Sequence, residues 1–357
     1  MDDHAAPVKK CVADTSRLLK ALRLEAVDRT PVWFMRQAGR SLPEYRAVRE
    51  RYSLLDICRR PEVCAEVTVQ PVRRLGVDAA ILFSDIMVPL LASGVRLDIV
   101  EKVGPVIERP VRSSEDVGVL RPLESENVQF VVDDIAHTLE LLNGSVPLIG
   151  FAGAPFTLAS YLIEGRPSRD FLHTKRLMYR APEIWHDLMT HLARLVSTYL
   201  VVQARAGVHA LQVFDSWAGA LSVDDYRRYV LPYSRQVFDT ARKTDLPLIH
   251  FGTGTGSLLS HMAEAGGSTL GADWRIPLDD AWRRVGYDRG IQGNLDPMVL
   301  QGPWPVVRRE ADAILRRAAG RSGHVFNLGH GIHPETPLDN LQRLVEYVHQ
   351  YTSADGA

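Results

Sequence analysis

Short apolar runs recur along the chain, and each ends in a polar or glycine-rich turn before an amphipathic stretch follows. Runs of this length predict buried strands, whereas apolar residues at helical spacing predict amphipathic helices. A clear helix of the second kind is "APEIWHDLMTHLARLVSTYLVVQARAG", which stops at a glycine. The eight predicted strands lie in "PVWFMRQAG", "AAILFSD", "VPLIGFAGAP", "ALQVFDSWAG", "LPLIHFGTG", "TLGADWRIP", "GIQGNLDP" and "GHVFNLGHG".

The alternation of continuous apolar strands with helices predicts an α/β fold, in which a parallel sheet is covered on both faces. Eight such units favour a closed (β/α)8 TIM barrel over an open doubly wound sheet, which remains the alternative. We expect one barrel domain over residues 16–350, with loose tails at 1–15 and 351–357.

In a barrel the C-terminal ends of all strands surround one mouth, and the active site is expected there. Residues that are far apart in sequence but follow or end apolar runs are therefore expected to be neighbours. They are Arg36, Arg40, Asp85, Tyr161, Ser216, His250 and His330.

Composition narrows the class of protein. The 357 residues include 42 Lys and Arg against 43 acids, a balance that argues against a nucleic-acid partner, so any positive site must be local. Cys11, Cys58 and Cys64 form no C-x-x-C pair and fit a reducing compartment. The N-terminus has no apolar signal core, and the longest apolar stretch is broken by Asp85 and Pro89. A cytoplasmic protein without a membrane segment is expected.

Positive charge is concentrated in "MRQAGRSLPEYRAVR", directly after the run "PVWF". The segment contains four arginines but only one acid, Glu44, and Gly39 and Pro43 prevent a regular helix. Either this is a solvated surface loop, or a ligand with several negative groups binds to it.

Asp85 lies inside the apolar stretch "AAILFSDIMVPLL". A carboxylate there loses hydration unless a cation or hydrogen-bond donors meet it, which indicates a functional group. The competing interpretation is that Asp85 caps the helix after the strand. The arginine loop, which is expected at the same mouth, favours function.

Other candidates have structural interpretations that are at least as strong. His330 lies between two glycines of a turn, Tyr161 fits a helix with its ring in the core, and Ser216 fits the start of a helix. His330 and His333, with Glu335, are the best-placed metal ligands, but no cysteine completes a site, so no metal is expected. The "GTGTG" segment is neither a dinucleotide fingerprint nor a phosphate loop.

Two stretches, "RQAGRSLPEYR" and "GFAGAPFTLASYLIEG", closely resemble the signatures of the uroporphyrinogen decarboxylase family. The segments "ILFSDI", "VFDSWAG" and "NLGHGI" agree with further blocks of that family, and the resemblance runs from about Ser16 to about Tyr347. One departure is Ser41, which stands where the family usually has tyrosine, but no charged position changes.

The resemblance implies a homodimeric (β/α) barrel that acts without metal or organic cofactor. Its activity would be that of a carbon–carbon lyase (carboxy-lyase), which converts the acetate side chains of uroporphyrinogen III to methyls. The product would be coproporphyrinogen III, an intermediate of porphyrin and haem biosynthesis.

The resemblance also implies roles for single residues. Asp85, Arg36 and His330 would be catalytic. The substrate-binding set would be Arg36, Gln37, Ala38, Gly39, Arg40, Arg49, Asp85, Tyr161, Ser216 and His330.

Arginine suits a polyanionic substrate, because its planar fork binds carboxylates and stays charged. Protonation of a pyrrole ring carbon makes the substrate its own electron sink, and the Asp85 anion would stabilise that cation. The residues leave the proton donor open among Arg36, Asp85, His330 and a water molecule.

Two other functions are weighed against this one. A corrinoid-dependent methyltransferase on the same fold would bind zinc through His and Cys, but no cysteine follows Cys64 and His250 precedes "FGTG". A non-enzymatic tetrapyrrole carrier would keep the arginines but has little reason to place a carboxylate beneath the ring.

Overall fold

The computed structural model describes residues 16–39, 41–100 and 103–353. Its main feature is a parallel sheet of seven strands, joined by helices, with the strand order β1-β4-β5-β6-β7-β8-β9. The strands of the chain are β1 Ala80–Ile81, β2 Leu97–Val100, β3 Gly104–Ile107, β4 Leu148–Gly153, β5 Ala210–Asp215, β6 Leu248–Gly252, β7 Thr269–Gly271, β8 Gly290–Gln292 and β9 His324–Val325.

Helices connect the strands. They are α1 Arg17–Leu22, α2 Pro43–Arg49, α3 Leu54–Ile57, α4 Pro61–Leu75, α5 Val88–Ala92, α6 Ser114–Gly118, α7 Gln129–Leu142, α8 Pro155–Glu164, α9 Leu172–Arg180, α10 Pro182–Ala206, α11 Val223–Tyr229, α12 Leu231–Ala241, α13 Leu259–Ala265, α14 Leu278–Val285, α15 Trp304–Ala318 and α16 Leu338–Thr352. Short 3-10 turns span Ser125–Val128, Ala218–Ala220, Arg242–Thr244 and Pro297–Gln301. Strands β2 and β3 form a separate antiparallel hairpin.

The apolar runs predicted the strands correctly in seven of eight cases. Strands β4 and β6 are buried at every position, as expected when helices cover both faces of a parallel sheet. The predicted helix after Ala181 is α10, which ends at Gly207 in a left-handed conformation, with φ of 109°. No helix in the described part of the chain is both long and apolar enough to cross a membrane.

The first run, "PVWF", forms only an isolated parallel bridge between Val32 and Phe326. The reason is that side chains take most of its amide hydrogens. Val32 N donates to Asp78 Oδ2 (2.7 Å), Phe34 N to Gln37 Oε1 (3.0 Å) and Met35 N to Asn327 Oδ1 (3.1 Å). A regular ladder therefore cannot form along this segment.

The "PVWF" segment nevertheless contacts both ends of the sheet. Phe326 N, just after β9, donates to Pro31 O (2.9 Å), and Asp78 N, just before β1, donates to Val32 O (2.8 Å). The predicted α/β fold with a parallel sheet is thus confirmed, with seven strands rather than eight among the described residues.

Buried amides fix this segment from inside the sheet. Trp33 Nε1 donates to Gln292 Oε1 (3.0 Å), and Gln292 Nε2 donates to Gln212 Oε1 (3.1 Å). All three side chains are at most 1% exposed, so the start of the arginine loop is tied to β8 and β5 through the interior.

The predicted tails lie mostly outside the described residues, which exclude 1–15 and 354–357. Helix α16 continues to Thr352, two residues beyond the boundary predicted from the sequence. Its His349 Nε2 lies 2.7 Å from Asp78 Oδ2, and Arg17 Nη1 lies 2.5 Å from Asp78 Oδ1. These contacts connect the first and last helices to the "PVWF" segment.

Candidate active site

Arg36 begins the loop after the "PVWF" segment and has an exposed side chain. Its backbone is in the left-handed region, with φ of 60°, which is uncommon for a residue with a side chain. A Cβ added to Gly331 would lie 2.7 Å from Arg36 Cγ, so the arginine stem passes directly over that glycine. The turn that carries His330 is therefore held against the arginine loop.

Gln37 lies beneath the loop instead of facing the mouth. Its side chain is 0% exposed, its Nε2 donates to Ala79 O (2.8 Å), and its Oε1 accepts from Phe34 N (3.0 Å). Gly39 is also buried, and a Cβ there would lie 2.8 Å from Arg36 O. Gln37 thus fixes the turn that presents Arg36 and Ala38.

Two further arginines of the loop were predicted to bind substrate. Arg40 lies outside the described residues. Arg49, in the last turn of α2, is half-buried, and its Nη1 donates to Tyr52 O (2.8 Å). A role for either residue in substrate binding stays a prediction.

Asp85 follows β1 and is half-buried. Its Oδ1 accepts a hydrogen bond from Met87 N (2.9 Å), which forms an Asx turn just before α5. The N-cap of α5 is Met87, which has no side-chain cap, so the interpretation of Asp85 as a helix cap was wrong. That contact does not exclude a functional role, because the charge of Asp85 also affects the pKa of Tyr161. Burial and then the Asp85 charge raise the pKa of Tyr161, whereas a hydrogen bond with Trp217 and the Arg36 charge lower it. Asp85 and Arg36 therefore share Tyr161 as a neighbour.

Tyr161 lies on α8, and its ring meets that of Trp217 edge-on at 5.8 Å. Ser216 and Trp217 directly follow β5, and both are half-buried. Trp217 N donates to Thr157 Oγ1 (3.3 Å), and Thr157 Oγ1 donates to Asp215 Oδ1 (3.0 Å). Helix α8 and the end of β5 thus hold Ser216 and Tyr161 in one wall.

His330 follows β9 at the same edge of the sheet. Burial, together with the positive charges of Arg36 and Arg275, lowers the pKa of His330 to about 4, although Asp273 opposes the shift. The imidazole is consequently neutral at pH 7. A neutral imidazole offers one hydrogen-bond donor and one acceptor.

His250 was expected at the mouth, and this prediction was wrong. Its side chain is 0% exposed, its Nδ1 lies 3.2 Å from Met262 O of α13, and its ring lies 4.6 Å from that of Phe238 of α12. It therefore faces the helices. Burial lowers the pKa of His250 to about 4. In the described part of the chain, no group of three or more His, Cys, Asp or Glu residues is arranged to hold a metal ion.

Sequence reasoning missed the segment after β7. A Cβ on Gly329 would lie 2.5 Å from Trp274 N and 3.0 Å from Asp273 Cα, so this segment contacts the His330 turn. Arg275 Nη1 pairs with Asp273 Oδ2 at 2.5 Å. The available signal was that "TLGAD" ends in aspartate as "AAILFSD" does, with an arginine two residues later.

Comparisons with known proteins identify the family. The family model described as Uroporphyrinogen decarboxylase (URO-D) matches residues 13–351. A uroporphyrinogen decarboxylase of Streptomyces avermitilis is 55% identical over 353 residues, covering 99% of each chain. Another, of Salinispora tropica, is 54% identical over 342 residues, covering 96% of this chain and 92% of its own.

Solved structures support the fold. A methyltransferase from Methanosarcina mazei superimposes with a TM-score of 0.74 at 20% identity, covering 94% of this chain and 98% of its own. A B12-independent methionine synthase from Shewanella sp. W3-18-1 gives a TM-score of 0.55 at 8% identity, covering 80% and 86%. At such identities the likeness concerns the fold alone, whereas the sequence matches concern the family. The chain belongs to the uroporphyrinogen decarboxylase family.

Proposed function

We propose that this protein decarboxylates the acetate side chains of uroporphyrinogen III to methyls and releases coproporphyrinogen III, as a carboxy-lyase of porphyrin and haem biosynthesis. The observation that carries the proposal is the meeting of Arg36, Asp85, Tyr161 and His330 at one edge of the sheet, in a chain of this family. A cation, an anion and two neutral hydrogen-bonding groups are what a tetrapyrrole polyanion requires.

The reaction begins with a proton added to a pyrrole ring carbon next to the acetate, which makes the ring cationic. The bond between the acetate methylene and its carboxylate then breaks, carbon dioxide leaves, and the electron pair neutralises the ring. A second proton then adds to the exocyclic methylene and completes the methyl group, and the ring carbon releases the first proton, which restores the aromatic pyrrole. One proton is consumed in total for each carbon dioxide released. The substrate serves as its own electron sink, so this scheme needs neither metal nor organic cofactor.

Asp85 stabilises the cationic ring and accepts hydrogen bonds from the pyrrole N–H groups. Its Oδ1 is held by Met87 N, so the carboxylate is positioned before substrate arrives. Preorganised charge of this kind is effective because it needs no rearrangement when charge develops. The turn before α5 and the catalytic role are therefore compatible.

Arg36 binds a side-chain carboxylate of the substrate, and Tyr161 and Ser216 contribute hydroxyl donors. The left-handed backbone of Arg36 and the contact of its stem with Gly331 limit its movement. Gln37 acts through the loop, because both ends of its amide are bonded to the protein backbone. Contacts from Ala38, Gly39, Arg40 and Arg49 complete the proposed binding set.

His330 serves as a neutral hydrogen-bonding group and not as an acid. With its pKa near 4, only about one molecule in a thousand carries an imidazolium at pH 7. Since Arg36 is also a poor acid and Asp85 serves as the anion, the first proton comes from a water molecule.

The proposal includes the assembly of the protein. The described residues form one domain, which includes α16 up to Thr352. The "PVWF" segment acts as an eighth strand that closes a (β/α)8 barrel, supported by its hydrogen bonds to Phe326 and Asp78. The protein is proposed to be a homodimer in the cytoplasm. The buried free thiols of Cys58 and Cys64 fit the reducing conditions of that compartment.

The test is incubation of purified protein with uroporphyrinogen III under anaerobic conditions, followed by chromatography of the products. We expect stepwise loss of carboxylates ending at coproporphyrinogen III, and loss of this activity in Asp85→Asn. Binding without carboxylate loss would indicate a tetrapyrrole carrier instead. Stoichiometric zinc in the purified protein would indicate methyltransferase-like chemistry.

A further inference from the structure

Arg275 lies just beyond the C-terminal end of β7, the end of the sheet that also carries Asp85 and His330. Its side chain is 53% exposed, whereas that of its ion-pair partner, Asp273, is 1% exposed. A guanidinium has five N–H donors, so the pair with Asp273 leaves donors that can bind a second anion. The half-exposed guanidinium presents positive charge outward.

The guanidinium of Arg275 is held on two sides. One edge donates to Asp273 Oδ2 (2.5 Å), and one face covers the ring of Trp274, with Cζ 4.0 Å from the centroid. Asp273 also accepts from Gly254 N (2.6 Å) and Arg275 N (3.1 Å), so the anchor is itself fixed. A guanidinium held in this way loses less conformational entropy when it binds an anion.

The position of Arg275 relative to the proposed site follows from two glycines of the His330 turn, each of which packs closely against a neighbouring loop. Gly329 packs on the backbone of Asp273 and Trp274, while Gly331 packs under the Arg36 stem. The His330 turn is therefore enclosed between two loops that each carry an arginine. Both arginines disfavour a positive charge on His330, as expected if they share its surroundings.

We infer that Arg275 is a second carboxylate-binding residue of the substrate site, placed across the His330 turn from Arg36. The inference rests on the proposed function and specifies that two arginines, Arg36 and Arg275, bind different carboxylates of the substrate. A polyanion with carboxylates around its rim needs cations on more than one side, and the loop of Arg36 supplies only one.

The experiment compares substitutions at Arg275 with a matched control. Arg275→Met keeps an aliphatic stem over Trp274 but removes the charge, and Arg275→Ala removes both. Arg283→Ala is the control, because Arg283 pairs with a nearby aspartate in the same way (Asp280, 2.8 Å) and is 64% exposed on α14. The measurements are kcat, KM for uroporphyrinogen III, affinity for coproporphyrinogen, and Tm.

We expect KM to rise about 10-fold in both Arg275 variants, with kcat changed less than about threefold, since one charge-assisted hydrogen bond to bound substrate is lost. The control should keep the wild-type KM. If affinity for coproporphyrinogen falls equally, the carboxylate is a propionate; if it does not change, the carboxylate is a reacting acetate. Either result supports the inference.

A wild-type KM in Arg275→Met, whether or not Tm falls, would mean that the residue only stabilises its loop, and the inference would be overturned. This outcome is distinct from failure of the proposed function, in which the wild-type protein itself releases no carbon dioxide. In that case the Kd of uroporphyrinogen III, measured directly for the wild type and Arg275→Met, decides the inference, and equal Kd values overturn it. If Arg275→Ala does not fold, Arg275→Met alone provides the test.

Discussion

Asp85 and Asp215 come from the same sequence pattern, an apolar run that ends in aspartate, yet they are opposite kinds of carboxyl group. Asp85 is half-buried in the loop after β1, accepts a hydrogen bond from the backbone amide of Met87, and has Tyr161 as a neighbour, as Arg36 does. Asp215 is 0% exposed at the end of β5, and burial raises its pKa to about 7 despite a hydrogen bond from Thr157. Among the described residues, its Oδ2 has no hydrogen-bond partner.

Surroundings, and not the strand-to-aspartate pattern, therefore decide what such a carboxyl group can do. A carboxylate keeps its charge where donors and cations surround it, and it holds a proton where burial dominates. Asp85 is accordingly suited to stabilise a cation. Asp215 is suited to a structural role, because through Thr157 it holds the backbone of Trp217.

The largest expected effect comes from Asp85→Asn. The substitution keeps the shape and the hydrogen bond from Met87 N but removes the negative charge. We expect kcat to fall about 10²–10³-fold, which is typical for the loss of one preorganised electrostatic group, with KM nearly unchanged. Steady-state kinetics with uroporphyrinogen III measure both constants. A kcat close to wild type would remove the contrast with Asp215.

Arg36→Ala should have the next largest effect, and on binding. The loss of a charge-assisted contact costs about 1.5–3 kcal/mol, so KM should rise at least about 10-fold. Raised salt should weaken wild-type binding more than binding by the variant, because the charge that salt screens is gone. Arg46→Ala, an exposed arginine of α2, is the control. Equal KM values in all three proteins would contradict the proposed binding role.

Sequence reasoning predicted much of this site but not its internal geometry. The apolar runs located seven strands, and Arg36, Asp85, Tyr161 and His330 do come together at their C-terminal ends. The eighth run fails to form a strand for a reason outside local pattern. Its amides are taken by side chains, of which Asp78 and Asn327 lie far away in sequence.

His250 and Arg275 show two other limits of predicting the site from the sequence. In a strand buried on both faces, the apolar pattern does not reveal which face a residue occupies, and His250 faces the helices. The position of Arg275 depends on a glycine more than fifty residues later, since Gly329 allows the two loops to touch. Contacts of that kind leave no local signature.

A smaller effect is expected from Tyr161→Phe. It removes one neutral hydroxyl from the wall that faces Asp85, and such a hydrogen bond contributes about 0.5–1.5 kcal/mol. We expect kcat/KM to fall about 2- to 10-fold, with the fold retained because the contact between the ring and Trp217 remains. Tyr179→Phe, an exposed tyrosine of α9, is the control. A loss as large as that of Asp85→Asn would assign Tyr161 a catalytic task.

The smallest effect on turnover is expected from Asp215→Asn, although its effect on stability should depend on pH. Asn mimics the protonated carboxyl, which is the main form of Asp215 below pH 7, so kcat at pH 6 should stay within about threefold of wild type. In the wild type the folded protein holds a proton at Asp215 up to about pH 7, while the unfolded chain releases it near the ordinary aspartate pKa of about 4. Wild-type stability from this group is therefore complete below pH 4 and is lost as pH rises towards 7.

Asn does not titrate. The free energy of unfolding of Asp215→Asn should therefore increase relative to that of the wild type as the pH rises from 5 to 8. Urea denaturation at both pH values measures the difference, and Asp239→Asn, an exposed aspartate of α12, controls for the change in net charge. A difference that does not change with pH would mean that Asp215 is ionised in the folded protein. The two strand-end carboxyls would then differ only in what they touch, and charge would no longer separate the structural aspartate from the catalytic one.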